Sequence, residues 1–223
     1  AFVGKLVVRH IEKDPTKYSI DKSWWDRQRQ EEITIKNDGL NLYAALIRAK
    51  SSQSNKVAIL VHGYCVSHKE MNAPAEMFLR NGFNVLAPDL RAHGKSDGKT
   101  IGMGCFDKYD VVLWIKKCIE LFGEKVKIVL FGISMGGATV CLASAENLPK
   151  NVKCVISDCS YDNAYNQFEY LIKEKLHLPR LTTIEIANTF IKLIGKYDLK
   201  DCDPLGAVKK TTLPIFFIHG TQD

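Results

Sequence analysis

What this sequence lacks narrows it first. Nowhere in its 223 residues does an apolar run approach the ~18 needed for a membrane span. The opening Ala1-Phe2-Val3-Gly4-Lys5-Leu6-Val7-Val8 is too short and too soon polar for a secretory signal. A first residue of Ala rather than Met leaves an upstream targeting or anchor segment open. The cysteines at 65, 105, 118, 141, 154, 159 and 202 include no C-x-x-C pair, so neither a metal site nor a dithiol motif is supported. Their number is odd, and Cys118, Cys141 and Cys154 fall in predicted helices or strands, where Cys acts as a small buried hydrophobe. A reduced, cytoplasmic compartment is the expectation. Gly102-Met103-Gly104 lacks both the preceding strand and the third glycine of a phosphate loop. The net charge of +6 is scattered, its densest groups being the pairs Lys116-Lys117 and Lys209-Lys210. With no zinc knuckle, helix-turn-helix or aromatic-basic interleaving, nucleic acid is not expected as a partner, nor is a membrane for this segment. Repeats and low-complexity tracts are absent as well.

What is present is an ordinary globular composition, 46% hydrophobic and 25% charged, long enough for one sizeable core. Residues 1 to about 30 are polar and mixed, apart from Trp24-Trp25. Adjacent tryptophans cannot share one side of a strand, so they read as packing an N-terminal helix on the body, with a substrate-lip role as the alternative. Glu32–Lys36 alternates, Asn37-Asp38-Gly39 turns and Leu40–Ile47 runs back, a hairpin signal. From there the pattern changes. Lys56–Val61 is a continuous apolar strand, as expected when both faces are covered. Residues 69–81 have helical spacing, Asn84–Pro88 is a strand, and 107–121 is an amphipathic helix carrying Val111, Val112, Trp114, Ile115 and Cys118. Strands follow at 126–131, 152–157 and 213–218, with a helical stretch at 161–200 broken at Pro179. Short strands alternating with helices predict an α/β fold: a doubly wound, mostly parallel sheet with a small helical cap at about 161–200. One domain is expected over 1–223, with 1–30 as an extension.

The chemistry concentrates at Gly132-Ile133-Ser134-Met135-Gly136-Gly137, between an apolar strand and the small-residue helix Ala138–Ala145. Strand, G-x-S-x-G, helix is the context of a nucleophile elbow. Ser134 must occupy a sharp turn at unfavourable backbone angles, and a side chain at 132 or 136 would meet neighbouring backbone. The turn would lift the hydroxyl from the sheet and aim a helix N-terminus where negative charge develops.

These residues resemble the α/β-hydrolase superfamily. His62-Gly63-Tyr64 follows the third strand, Pro88-Asp89-Leu90-Arg91-Ala92-His93-Gly94-Lys95-Ser96 the fourth, and Ile218-His219-Gly220-Thr221-Gln222-Asp223 the seventh. Together with the elbow they span roughly residues 30–223, in the family's order. The pattern is similar to single-domain serine hydrolases of the prolyl-oligopeptidase-related and bacterial esterase type. The resemblance implies Ser134 as nucleophile, Asp223 as triad acid, and the amides of Tyr64 and Met135 as oxyanion hole, with no metal and no cofactor. Asp158, after the sixth strand, is the alternative acid, a position some relatives use. The implied reaction is hydrolysis of a small acyl substrate, an ester before an amide or thioester, through an acyl-serine intermediate. Peptidase or acyltransferase chemistry on the same triad, or a non-catalytic binding member of the fold, are the rivals.

The catalytic histidine of such a triad follows the acid after one more strand, and this sequence stops at Asp223. A missing last strand and helix, and a chain cut short of its base, are therefore expected. Among the six histidines, His62 reads as a structural hydrogen bonder and His93 as a structural residue of the fourth-strand turn. His219, four residues before Asp223 in the last strand's exit turn, reads as too constrained to reach Ser134; His10, His68 and His177 read as surface or cap residues. Asp89 and Arg91 read as braces of their turn, and Asp107 and Asp110 as first-turn helix residues favoured by the macrodipole. A nucleophilic Cys65 is not expected beside an intact Ser134 elbow.

Overall fold

The computed structural model of the protein describes residues 22–176 and 180–220. The hairpin forms as expected from β1 (Glu31–Asn37) and β2 (Leu40–Ile47), turning through Asp38 and Gly39, both at positive φ. Strand β2 also pairs antiparallel with β4 (Asn84–Pro88). Beyond β4 every pairing is parallel, through β3 (Lys56–Val61), β5 (Lys127–Ile133), β6 (Val152–Asp158) and β7 (Ile215–Ile218). The sheet order is β1-β2-β4-β3-β5-β6-β7. At its β7 edge Phe216 and Phe217 stand 42% and 39% exposed.

Strand alternation divides the apolar side chains between two layers. Val57, Ile59 and Val61 point to the face covered by α2 (Asp107–Phe122) and α3 (Met135–Ser144). Ala58 and Leu60 point to the opposite face, covered by α1 (Asn72–Arg80) and by the 3-10 turn Lys22–Arg27. Both faces of β3 are therefore buried, which is why it reads as an unbroken apolar run. Helix α2 sinks Val111, Trp114, Ile115 and Cys118, one stripe at i, i+3, i+4 and i+7. Each such side chain stabilises by about 1.5–3 kcal/mol on burial. Trp25 is fully buried, edge-on to His68, so the tryptophan pair does anchor the N-terminal turn.

Between β6 and β7 the chain forms the cap: α4 (Ala164–Leu176), then α5 (Arg180–Phe190) with a π-helical turn at Ile191–Gly195 and a 3-10 turn at Leu199–Asp201. Helix α6 (Pro204–Val208) returns it to the sheet. The expected break at Pro179 lies outside the described residues. The two roots of the cap touch: the Ala164 amide donates to the Cys202 carbonyl at 2.9 Å and the Leu205 amide to the Asp162 carbonyl at 3.0 Å. One covalent tie was not signalled by cysteine spacing. Cys105, just ahead of α2, and Cys202 form a disulfide across 97 residues of sequence. That bond runs against the reduced compartment expected from the odd cysteine count. No helix among the described residues is long and apolar enough to cross a membrane.

Candidate active site

Register brings the site together. Val61 of β3, Gly132 of β5 and Ser157 of β6 lie side by side across the sheet, so the three strands end at one rim. Ligands of open parallel sheets bind outside the carboxyl ends of the strands. Ser134 sits there between β5 and α3 at φ 55 and ψ −120. These values mirror an ordinary extended residue and leave the side chain exposed at the tip of the turn. The flanking glycines have a measurable reason. A Cβ on Gly132 would lie 2.2 Å from the Gly136 carbonyl oxygen, and one on Gly136 would lie 2.1 Å from that of Val61. The elbow therefore presses β5, the first turn of α3 and the end of β3 into direct backbone contact.

The amides around Ser134 divide into those already bonded and those open. The Ser134 N–H donates to the Asp158 carbonyl at 2.8 Å, so the nucleophile's own amide is engaged. Met135 opens α3, and first-turn amides have no partner inside their helix. Gly63 closes the other side: a Cβ there would be 3.5 Å from the Ser134 Cβ and 3.9 Å from its Oγ. Tyr64, next along, lines the cavity in front of Ser134 and is 53% exposed.

Two histidines hold this loop. His62 Nδ1 donates to the Gly63 carbonyl at 2.7 Å, and the Leu90 amide donates to His62 Nε2 at 2.9 Å. This pairing requires a neutral ring, and burial lowers the His62 pKa to about 4. The Cys65 amide donates to His93 Nε2 at 3.1 Å, while His93 Nδ1 donates to the Arg91 carbonyl at 2.7 Å. Both rings tie the β3 exit to the β4 exit, the structural roles expected of them. Asp89 braces its turn by accepting from the amides of His68 and Lys95, both at 2.8 Å. Gly94 is obligatory above it, since a Cβ would lie 2.1 Å from Asp89 Oδ2.

His68 departs from expectation. It is buried, not at the surface, with its ring on Asp89 at 2.9 Å and against Trp25 and Tyr43. Its place at the start of a 3-10 turn over the sheet, invisible to local polarity, explains the difference. Arg91 reaches further than its own turn: Nε and Nη2 bond Asp110 at 2.5 and 2.8 Å, and Nη2 also meets Asp38 at 2.9 Å. Asp107 and Asp110 do open α2, but both are buried. Asp107 Oδ2 accepts from the Gly104 amide at 3.0 Å, Oδ1 has no partner among the described residues, and burial, then Asp110, raises its pKa to about 6.

A cavity of about 620 Å³ opens beside Ser134. Met103, Tyr161, Phe168 and Leu171 give it apolar walls, while Ser160, Asp162, Gln167 and His219 add polar atoms. His219 thus shares a cavity with Ser134, although its ring nitrogens lie 3.3 Å from the carbonyls of Ser160 and Gly220. Asp158 ends β6 beside Ile133 with its Oδ1 buried and without a partner among the described residues. Asp223, His10 and His177 lie outside the described residues. Cys65 is exposed and unpaired with another cysteine. Among the described residues no group of three or more His, Cys, Asp or Glu side chains is placed to hold a metal.

The family profile described as "Serine aminopeptidase, S33" matches residues 52–177, from just before β3 into the cap. The chain belongs to this family of α/β-hydrolases. A Bacillus subtilis (strain 168) relative, "Uncharacterized protein YqkD", is 31% identical over 169 residues, covering 74% of this chain and 54% of that protein. The chain thus spans about half the length of the curated relative it matches. Among solved structures, the Pyrococcus furiosus esterase Pf2001 superposes with a TM-score of 0.65 at 24% identity, over 97% of this chain and 77% of that one. Est1E from Butyrivibrio proteoclasticus, solved with ferulic acid bound, gives 0.61 at 24% identity, over 86% and 79%. At such identities these likenesses establish the α/β-hydrolase fold, the expected doubly wound sheet with its small cap.

Proposed function

We propose that this S33 α/β-hydrolase chain carries the nucleophile and oxyanion hole of a carboxylic ester hydrolase. The observation that carries the reading is Ser134, exposed at φ 55 on the strand–helix turn in front of the cavity. In this reading Oγ attacks the ester carbonyl carbon and gives its proton to a histidine base. The carbonyl oxygen, now negative, is met by the amide of Met135 at the N-terminus of α3 and by that of Tyr64 on the loop after β3. Collapse expels the alcohol, which takes the proton back, and water then releases the acid from the acyl-serine. No cofactor takes part. Asp223 orients the histidine, which the family's order places beyond it; the exposed Phe216 and Phe217 on the β7 edge support a further strand there.

A peptidase reading has one observation in its favour besides the family description: an acidic residue, Asp162, is among those lining the cavity, its carboxylate accepting from the Asn163 amide at 2.6 Å and from Asn166 Nδ2 at 3.1 Å. The native protein should take one fluorophosphonate adduct, lost in Ser134→Ala, and cleave p-nitrophenyl butyrate faster than amino-acid p-nitroanilides. The reverse preference would favour the aminopeptidase. A folded native protein with no adduct would sink both.

A further inference from the structure

Ahead of α2 the chain makes a tight detour, Ile101-Gly102-Met103-Gly104-Cys105, which puts Met103 and Gly104 at φ 49 and φ 87. A methionine at positive φ is strained and persists only where surroundings hold it. Four separate ties do so. The Tyr197 hydroxyl donates to the Ile101 carbonyl at 2.9 Å and the Tyr161 hydroxyl to the Met103 carbonyl at 2.7 Å. The Gly104 amide is held by buried Asp107, and Cys105 is bonded to Cys202. Three of these partners, Tyr161, Tyr197 and Cys202, belong to the cap or its roots. Beneath, Gly104 rests on α3: a Cβ there would lie 2.8 Å from Leu142 Cδ1 and 3.1 Å from Thr139 Oγ1. Thr139 Oγ1 in turn donates to the Met135 carbonyl, one residue past the nucleophile. The outcome is that the Met103 side chain, 6% exposed, forms cavity wall next to Ser134.

We infer that Met103 sets the size of the apolar group accepted beside the scissile carbonyl, and that the cap fixes this limit by tying down the 101–105 segment. The inference rests on the serine-hydrolase reading. Methionine is a flexible, polarizable filler, so this wall grips an unbranched apolar group and is re-sized by one substitution. The segment is rigid while its one side chain in the cavity is adaptable, the arrangement a selectivity filter for acyl or alkyl length requires.

The test uses the full native protein and two p-nitrophenyl or alkyl ester series, one varying the acyl chain and one the alcohol. Met103→Ala should raise kcat/KM for eight-carbon over four-carbon groups by at least about tenfold in one series, the lower end of what a single methylene is worth in an apolar pocket. Met103→Phe should shift the optimum to shorter groups in that same series. Which series responds tells whether the acyl or the alcohol group lies against Met103. Tyr161→Phe, which keeps the ring but frees the Met103 carbonyl, should broaden the profile in the direction of Met103→Ala. Unchanged profiles in both Met103 variants, with normal labelling of Ser134, would overturn the inference while leaving the hydrolase reading intact. A response to Met103 but none to Tyr161→Phe would overturn the role of the cap. A native protein that takes no label at Ser134 would overturn both readings together.

Discussion

At the scale of single residues, the site is built from positions where one atom more or less decides the outcome. Ser134 holds a backbone conformation natural only to glycine. Ser134→Gly should therefore be more stable to urea than Ser134→Ala by about 1 kcal/mol, while both lose the fluorophosphonate adduct. Equal or lower stability of the glycine variant would mean that the turn is not strained. Gly136→Ala goes the other way, because its Cβ would meet backbone at 2.1 Å that cannot step aside. It should cost on the order of 4 kcal/mol or abolish soluble expression, whereas Gly123→Ala, with nothing within 4 Å but a positive φ, should cost only about 1 kcal/mol. Much of this was legible in advance, since G-x-S-x-G with small residues after it states its own steric demands. The His68–Asp89 pair was not: nothing within a few residues of His68 reveals that Trp25 and Tyr43 will close over it.

At the scale of elements, Arg91 joins three pieces that sequence treats as unrelated. Its guanidinium binds Asp110 through two nitrogens at the start of α2 and reaches Asp38 in the β1–β2 turn. Lysine carries the same charge without the fork. Arg91→Lys should lower stability by on the order of 2–3 kcal/mol in denaturant melts, more than Lys117→Ala, whose exposed Glu120 partner contributes next to nothing. A loss below about 0.5 kcal/mol would show that the network is not held together by the bidentate contact. Strands β3 and β4 could be drawn to the residue from their apolar runs, because burial on both faces leaves no other pattern. The expected helix at 69–81 shrinks to Asn72–Arg80 behind a 3-10 turn. There the Ser67 hydroxyl caps a tight first turn, and Asp89, just past the end of β4, takes the His68 amide. The Cys105–Cys202 bond was equally hidden, since it depends on the cap folding back over the entry to α2.

At the scale of the molecule, two buried titrating groups set opposite demands on acid stability. Asp107 has its pKa raised by burial from 3.8 to about 6. Its contribution is complete below 3.8 and is lost as pH rises through about 6. His62 has its pKa lowered by burial from 6.5 to about 4, so its contribution is complete above 6.5 and is lost as pH falls through about 4. Between these limits they oppose one another. Asp107→Asn removes one side, and the variant should lose about 2 kcal/mol more than the native protein on going from pH 6.5 to 4.5. Urea midpoints at the two pH values measure this; parallel curves would mean that Asp107 ionises normally.

The cap leaves and rejoins the sheet through one doorway, where Ala164 meets Cys202 and Asp162 meets Leu205. Such an insertion is a cassette. Everything between can be exchanged for another helical pair without moving the register of β7, because the doorway and not the helices fixes where the strand resumes. The cassette is keyed as well as hinged: Tyr161 and Cys202 stand on either jamb and grip the Met103 segment, while Tyr197 travels with the insert and holds the Ile101 carbonyl. A newcomer that brings no substitute for Tyr197 would leave the Ile101 carbonyl without the hydroxyl that holds it here.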